Sequence, residues 1–408
     1  MALKFPIFMD AQSTTPCDPR VVEAMLPYFT EKFGHPASRN HPFGWEAEGA
    51  VDAARQKLAR LIGARDPKEL VFTSGGTEAI NLALKGAAEM YREKGNHIVT
   101  TVIEQRAGLD TCKRLERQGF EVTYLPVGPG GLVDVDEVRK AITNKTILVS
   151  VMFANNEIGT LQDIAGLGRL AKEKGVIFHT DATQAVGKVP VNVEALGVDL
   201  LSCTAHLMYG PKGVGALYVR RKGPRVRLAP MIDGGGHERG MRSGTLPVPL
   251  IVGFGRAAEI CEEIMPEESA RLATLRDRLQ DLILSSVDEA FLNGDPERRL
   301  PQNLNISFAY VEGESVLMGL NRETALSSGS ACTSATLEPS YVIAALGAST
   351  ELAHSSIRFS LHRFNTEEEV EVVAKRTIEV VKRLRDMSPL YELAKEGVDL
   401  KSIQWKAE

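Results

Sequence analysis

The feature that most limits how this chain can fold is an alternation between residues 69 and 219. Short apolar runs at Glu69–Thr73, His97–Val102, Glu121–Leu125, Thr146–Val151 and Val176–Thr180 are separated by segments of helical length. The runs are rich in β-branched residues and too short for helices, so they read as strands. Parallel neighbours need crossover connections, and helices between strands supply them. The pattern therefore predicts an α/β fold with a mainly parallel sheet covered on both faces. Tyr218 lies on a further strand, and the short loop before it predicts an antiparallel or edge position.

Ligands of open α/β sheets gather at the carboxyl ends of the strands. Three such ends carry suitable residues. Ser74-Gly75-Gly76-Thr77-Glu78 turns a strand into a helix, where free backbone N–H groups suit a phosphate. By itself a turn of this kind is more often only a turn. Val176–Thr180 runs into Asp181-Ala182-Thr183-Gln184, an acid and an amide at a strand end. Val198-Asp199-Leu200-Leu201 runs into Ser202 through Gly213, a loop with His206 that closes on the turn Gly210-Pro211-Lys212-Gly213. An Asp for a pyridinium nitrogen and a loop Lys for a Schiff base are the layout of a pyridoxal phosphate (PLP) site. Asp181 is in place, but His206 is followed by Leu207, which has no amine.

Three further stretches carry chemistry. Gly234 through Thr245 is a second Gly-rich loop with Arg239, Arg242, Ser243 and Thr245; it reads either as a surface loop or as another arm of a phosphate clamp. Cys332 sits in Ser327–Ser334, a loop of small polar residues, where a thiol is more reactive than one packed in a core. Arg358 interrupts an apolar strand and needs an acid or a ligand carboxylate for its guanidinium. A structural ion pair satisfies it equally well. The histidines 35, 41, 97, 354 and 362 show no metal-ligand spacing.

From Pro247 the pattern changes. A helical stretch to about Val287 is followed by short strands at Asn303–Phe308 and Ser355–Ser360 and by helices at Glu314–Leu320, Pro339–Leu346 and Glu367–Arg385. This predicts a large cofactor-binding domain over 17–262. It also predicts a small α+β domain from 1–16 and 263–408, carrying the Cys332 loop and the C-terminal tail. The net charge of −5 argues against direct nucleic-acid or membrane-surface binding. No apolar run reaches the ~20 residues that span a bilayer. Five cysteines without a C-x-x-C, behind an N-terminus unlike a secretory signal, predict a reducing cytoplasm rather than a disulfide framework.

Taken together, these stretches resemble the IscS/NifS-type cysteine desulfurases, fold-type I PLP enzymes of the class V aminotransferase group. The resemblance rests on Thr73-Ser74-Gly75-Gly76-Thr77-Glu78, Asn155-Asn156-Glu157-Ile158-Gly159, Asp181 through Gln184, Gly234 through Thr245, Ser328 through Ser334, and His354 through Phe359. It extends to the tail Gly397–Ile403, which looks like a scaffold-docking end. The resemblance implies a homodimer that takes sulfur from L-cysteine, leaves L-alanine and holds the sulfur as a persulfide on Cys332. An IscU-type iron–sulfur scaffold, or tRNA thiolation, then uses it. Asp181 would face the pyridinium nitrogen and Gln184 the ring hydroxyl. Gly76, Thr77, Thr204 and His206 would hold the phosphate, with Thr245 arriving from the partner subunit. Asn156 and Arg358 would bind the substrate carboxylate.

The departures from the family pattern cluster. The Schiff-base Lys position is Leu207, and the ring-stacking His position is Gln105. Thr204, Ala205 and His35 replace a Ser, a Gly and an Asn. Leu207 can neither bind PLP covalently nor move a proton. Gln105 cannot act as a general acid or base, a role worth typically ~10²–10⁴-fold. Ordinary desulfurase turnover is therefore not expected. Two alternatives remain: a non-catalytic persulfide carrier or scaffold partner, and an enzyme that binds PLP or a PLP–amino acid adduct non-covalently.

Overall fold

The structure, a computed structural model, describes residues 3–328 and 339–396. Cys332 and the tail Gly397–Ile403 lie outside the described residues.

A seven-stranded sheet organises the larger part of the chain. Its strands are β1 (Leu70–Thr73), β2 (His97–Thr101), β3 (Glu121–Leu125), β4 (Thr146–Ser150), β5 (Ile177–Asp181), β6 (Leu200–Thr204) and β7 (Gly215–Val219). They lie in the order β1-β7-β6-β5-β4-β2-β3. Each of these strands except β7 points the same way; β7 runs antiparallel to both β6 and β1. The antiparallel reading of Tyr218 therefore holds, but the edge reading does not. The loop from β6 is too short for a crossover, so the chain doubles back, and β7 inserts between β6 and β1, leaving β1 at the edge. Gly215 permits that insertion, because a Cβ there would lie 2.6 Å from the carbonyl carbon of Gly75.

Both faces are buried, and the strand period of two sorts the side chains. Val99, Val149, Leu201 and Ala216 join the core on one face, while their neighbours Ile98, Leu148, Leu200 and Leu217 join the core on the other. The first face is covered by α1 (Pro42–Leu61) and the start of α3 (Val248–Leu284) through Val51, Leu58, Ile251 and Phe254. The second is covered by α2 (Gly76–Met90), whose Ala79, Ile80, Ala83 and Leu84 form a buried stripe at helical spacing. His41 opens α1 as its cap, its Nδ1 accepting from the Gly44 N–H at 3.2 Å, with Pro42 at the first helical position.

The long helix α3 spans two cores. Its Ile251, Phe254 and Ile260 pack on the sheet; beyond Pro266, Leu272, Leu279 and Ile283 pack with Leu304, Ile306, Ile357, Phe359 and Val370. That second core lies under a four-stranded antiparallel sheet that pairs Asn303–Phe308 with Ser356–Ser360 at its centre. The segment Ile7–Phe8 pairs with Thr324–Ala325 and adds Ile7 to the same core. Near the N-terminus the helix Pro19–Met25 gives way at Leu26 to a second piece, Pro27–Thr30, since Pro27 cannot continue the hydrogen-bond ladder.

Candidate functional site

Four adjacent parallel strands bring the candidate residues to one rim. β5 ends on Asp181, β6 leads into His206 and Leu207, the chain after β4 carries Asn156, and the chain after β2 carries Gln105. The order β6-β5-β4-β2 places Asp181 between the Leu207 side and the Gln105 side.

Asp181 is buried. Its Oδ1 accepts from the Thr183 N–H at 3.0 Å, and its Oδ2 has no partner among the described residues. Burial pushes this carboxyl above its ordinary range, with the Thr183 contact opposing. An unpartnered carboxylate oxygen in a low-dielectric site is costly unless a cationic or N–H group meets it. Two residues earlier, His179 bridges the flanking strands, to Ser150 Oγ at 2.8 Å and Ser202 Oγ at 2.9 Å. Burial pushes its pKa down to about 3, so it is neutral and structural.

The turn beside Asp181 forms a cradle. A Cβ on Gly76 would lie 2.7 Å from Thr183 Cγ2 and 3.7 Å from Thr204 Cβ, so glycine is what lets α2 start this close. Thr77 is exposed in the first turn of α2. Thr204 Oγ1 donates to the Val214 carbonyl at 3.4 Å, and His206 Nδ1 lies 3.2 Å from Thr14 Oγ1. The His206 carbonyl accepts from both the N–H and the hydroxyl of Thr15, which pins the loop to the N-terminal segment. Leu207 is buried, 6 % exposed. Two lysines lie near this loop. Lys188 Nζ sits 4.0 Å over the Tyr209 ring, and burial lowers its pKa to about 8; Lys212 is exposed.

On the opposite side, Gln105 precedes the helix Arg106–Glu116, and its Oε1 is buried without a partner among the described residues. Asn156 Oδ1 is likewise buried and unpartnered. The two loops are tied together: Asn155 Nδ2 donates to the Ile103 carbonyl at 3.0 Å, and the Met152 N–H to Glu104 Oε1 at 3.0 Å. Glu104 also accepts from Thr101 Oγ1 at 2.7 Å. Burial raises its pKa to about 8, and the charge of Asp181 adds to the shift. Glu157 accepts from Ser340 Oγ at 2.5 Å and is pushed up to about 7 by burial.

Arg358 reaches this rim from the smaller sheet. Its Nη1 donates to the Asn156 carbonyl, and its Nη2 to Asp10 Oδ1 and Ser13 Oγ, each at 2.7 Å. Its Nε has no partner among the described residues. The structural ion pair is present, with Asp10 as the acid. Gln184 is turned to the N-terminal segment, its Nε2 donating to the Gln12 carbonyl at 3.0 Å. The loop Gly234–Thr245 is less free than its glycines suggest. Glu238 is buried on Arg55 through two contacts of 2.7 Å and accepts from the Phe72 N–H at 2.7 Å, which clamps the loop to β1. Thr245, near the end of that loop, lies 3.4 Å from His35 Nε2.

Sequence reasoning missed Asp10, Ser13, Gln12 and the Arg55–Glu238 pair. Each meets its partner from 166 residues or more away in the chain, so no local spacing could reveal it. The sequence signal was the isolated charge of Arg358 within an apolar strand; Glu238, in a polar Gly-rich loop, carried none.

The profile of the class-V aminotransferases matches residues 7–373. The chain is 58 % identical over 407 residues to the cysteine desulfurase IscS of Mannheimia succiniciproducens, covering 99 % of this chain and 100 % of that one. Among solved structures, a NifS-like protein superposes with a TM-score of 0.85 at 38 % identity, over 93 % of this chain and all of the other. SspA, solved in complex with cysteine, superposes with a TM-score of 0.78 at 36 % identity, over 88 % of this chain and all of that one.

Proposed function

The chain belongs to the class-V aminotransferase family, among the IscS-type cysteine desulfurases, and from that premise we propose that it serves sulfur mobilisation with a cofactor pocket that holds PLP non-covalently. The observation that carries this reading is Asp181, whose buried Oδ2 waits for a partner while the loop beside it presents Leu207. The residues present fit the group. Asp181 matches a pyridinium nitrogen, and the Gly76–Thr183–Thr204 cradle, with Thr77 and His206, matches a phosphate. When bound, PLP supplies an electron sink for bonds at a substrate Cα.

The chemistry available depends on this chain's own residues. Leu207 stands where the family's Schiff-base lysine belongs and Gln105 where its ring-stacking histidine belongs, so neither side chain can accept or return a proton. Asp181 orients the ring, and Arg358 with Asn156 receives the carboxylate of L-cysteine through the Nε, which has no partner among the described residues. Turnover of L-cysteine to L-alanine by this polypeptide is slow or absent. Cys332 carries sulfur as a persulfide for an iron–sulfur scaffold of the IscU type or another acceptor, with two copies of the chain forming the working unit. The domain over 17–262 holds the cofactor; the parts 1–16 and 263–408 carry Arg358 and Cys332.

The test is direct. The purified chain is loaded with PLP, given L-cysteine, and assayed for alanine; in parallel it is given a low-molecular-weight persulfide and Cys332 is read by mass spectrometry. The reading expects little alanine and a sulfur adduct on Cys332. Alanine formation at the rate of a lysine-bearing relative, or an unmodified Cys332 under conditions that label that relative, overturns it.

A further inference from the structure

The rim is asymmetric in its unpartnered groups. Beyond Asp181, the side reached through β4 and β2 presents two buried acceptors with nothing to accept among the described residues, Gln105 Oε1 and Asn156 Oδ1. The opposite side presents Leu207, which offers neither donor nor charge. The aldehyde of PLP is itself an acceptor, and without a lysine it has no covalent partner; set against two carbonyl oxygens it leaves them unsatisfied. An amine on the same carbon brings donors.

Charge points the same way. Asp181 supplies negative charge at this rim; Glu104, which precedes Gln105, is held protonated at neutral pH by burial and supplies none. Arg358 is already neutralised by Asp10 at 2.7 Å, and Arg106 lies over the Tyr341 ring at 4.6 Å. A cationic ligand is favoured where the Asp181 carboxylate is near and Arg358 and Arg106 are already engaged.

We propose that this pocket selects the amine form of the B6 phosphates, pyridoxamine 5'-phosphate, over the aldehyde form, with Gln105 as the specificity-determining residue. The proposal rests on the reading of the site as a B6-phosphate pocket. It gives the altered residues a use: Gln105, which cannot titrate, serves as a fixed acceptor for an ammonium group. A hydrogen bond to a charged donor is about twice as strong as one between neutral groups, so the preference is on the order of tenfold or more.

Equilibrium dialysis of the full chain against pyridoxamine 5'-phosphate, PLP and pyridoxine 5'-phosphate tests it without any activity assay. The expected order is amine tightest, by about tenfold or more over the aldehyde, with the neutral alcohol between them. Gln105→Glu keeps an acceptor at this place and keeps or widens the preference; Gln105→Leu loses it. Thermal melts of each variant with and without ligand show whether it is folded and whether binding stabilises it. Aldehyde binding equal to or tighter than amine binding overturns the proposal and leaves the pocket reading intact. A preference untouched by Gln105→Leu removes Gln105 from it. Failure of all three ligands to bind overturns the proposal and the pocket reading together.

Discussion

The two sides of one strand rim differ in the groups they present. Asp181 and the Gly76 turn, which on the proposed reading hold a phosphorylated pyridine ring, offer a buried acid with one oxygen unpartnered among the described residues and a glycine where a Cβ would collide with Thr183. At Leu207 and Gln105 the side chains are a leucine and an amide, neither of which can do proton chemistry on a bound amino acid. The backbone is equally well built on both sides, with Thr15 pinning the His206 loop and Glu104 pinning the loop before Gln105. On the proposed reading, binding and catalysis are separable on this fold, since two side chains decide one without disturbing the scaffold of the other.

The contrast is tested most forcefully by changing Leu207 and Gln105. Leu207→Lys combined with Gln105→His is expected to produce L-cysteine-dependent alanine formation. The histidine alone contributes about 10²–10⁴-fold over the lysine single variant, read as initial rates. If the double variant is no faster than the wild-type chain, the two residues are not what separates the sides.

The next largest effect concerns the clamp on β1. Glu238→Ala leaves Arg55 buried, 5 % exposed, without its carboxylate. Loss of one partner of a buried pair costs about 3–5 kcal/mol, so the denaturation midpoint falls markedly, whereas Glu262→Ala, at a surface pair with Arg60, shifts it little.

A smaller effect is expected at the Asp181 side. Asp181→Asn removes the charge that faces a ring N–H, a contact worth about 1.5–3 kcal/mol, or on the order of 10- to 100-fold in affinity. Leu207→Ala, by contrast, leaves affinity nearly unchanged. Equal losses in the two variants would erase the contrast drawn between the two sides.

A further effect is a dependence on pH. Glu104 has its pKa raised to about 8 in the folded chain, against ~4.3 when unfolded. The folded state thus holds a proton that the unfolded state releases. The stability this provides is complete below about pH 4 and is lost as pH rises towards 8. Glu104→Gln keeps the acceptor for Met152 and Thr101 and carries no proton to lose. Its melting temperature should exceed that of the wild type most at pH 8–9; a difference that stays constant from about pH 4 to pH 9 would place the buried proton elsewhere.

Much of the architecture was legible because the sheet is buried on both faces. Pairs such as Leu148–Val149 and Leu200–Leu201 mark strands that supply both cores, and strands of that kind demand helices between them. Asp181 stood out for the complementary reason, as a charge ending an apolar run. The place of β7 inside the sheet was less legible, because insertion depends on the contact of Gly215 with Gly75, 140 residues earlier. The surroundings of Arg358 were not legible at all: Asp10 and Ser13 meet it from the other end of the chain, 348 and 345 residues away. What the sequence alone showed about the site was its local part, the strand ends and their loops. What it withheld was every contact made when the N-terminal segment and the smaller sheet close over them.

One claim underlies the rest, that this pocket holds its B6 phosphate without a covalent bond. Borohydride reduction of the PLP-loaded chain, followed by peptide mass spectrometry, measures it, with Leu207→Lys treated alongside. No stoichiometric pyridoxyl adduct is expected on the wild-type chain, and one is expected on residue 207 of the variant. A stoichiometric adduct on a wild-type lysine, Lys188 or Lys212 above all, would refute the claim.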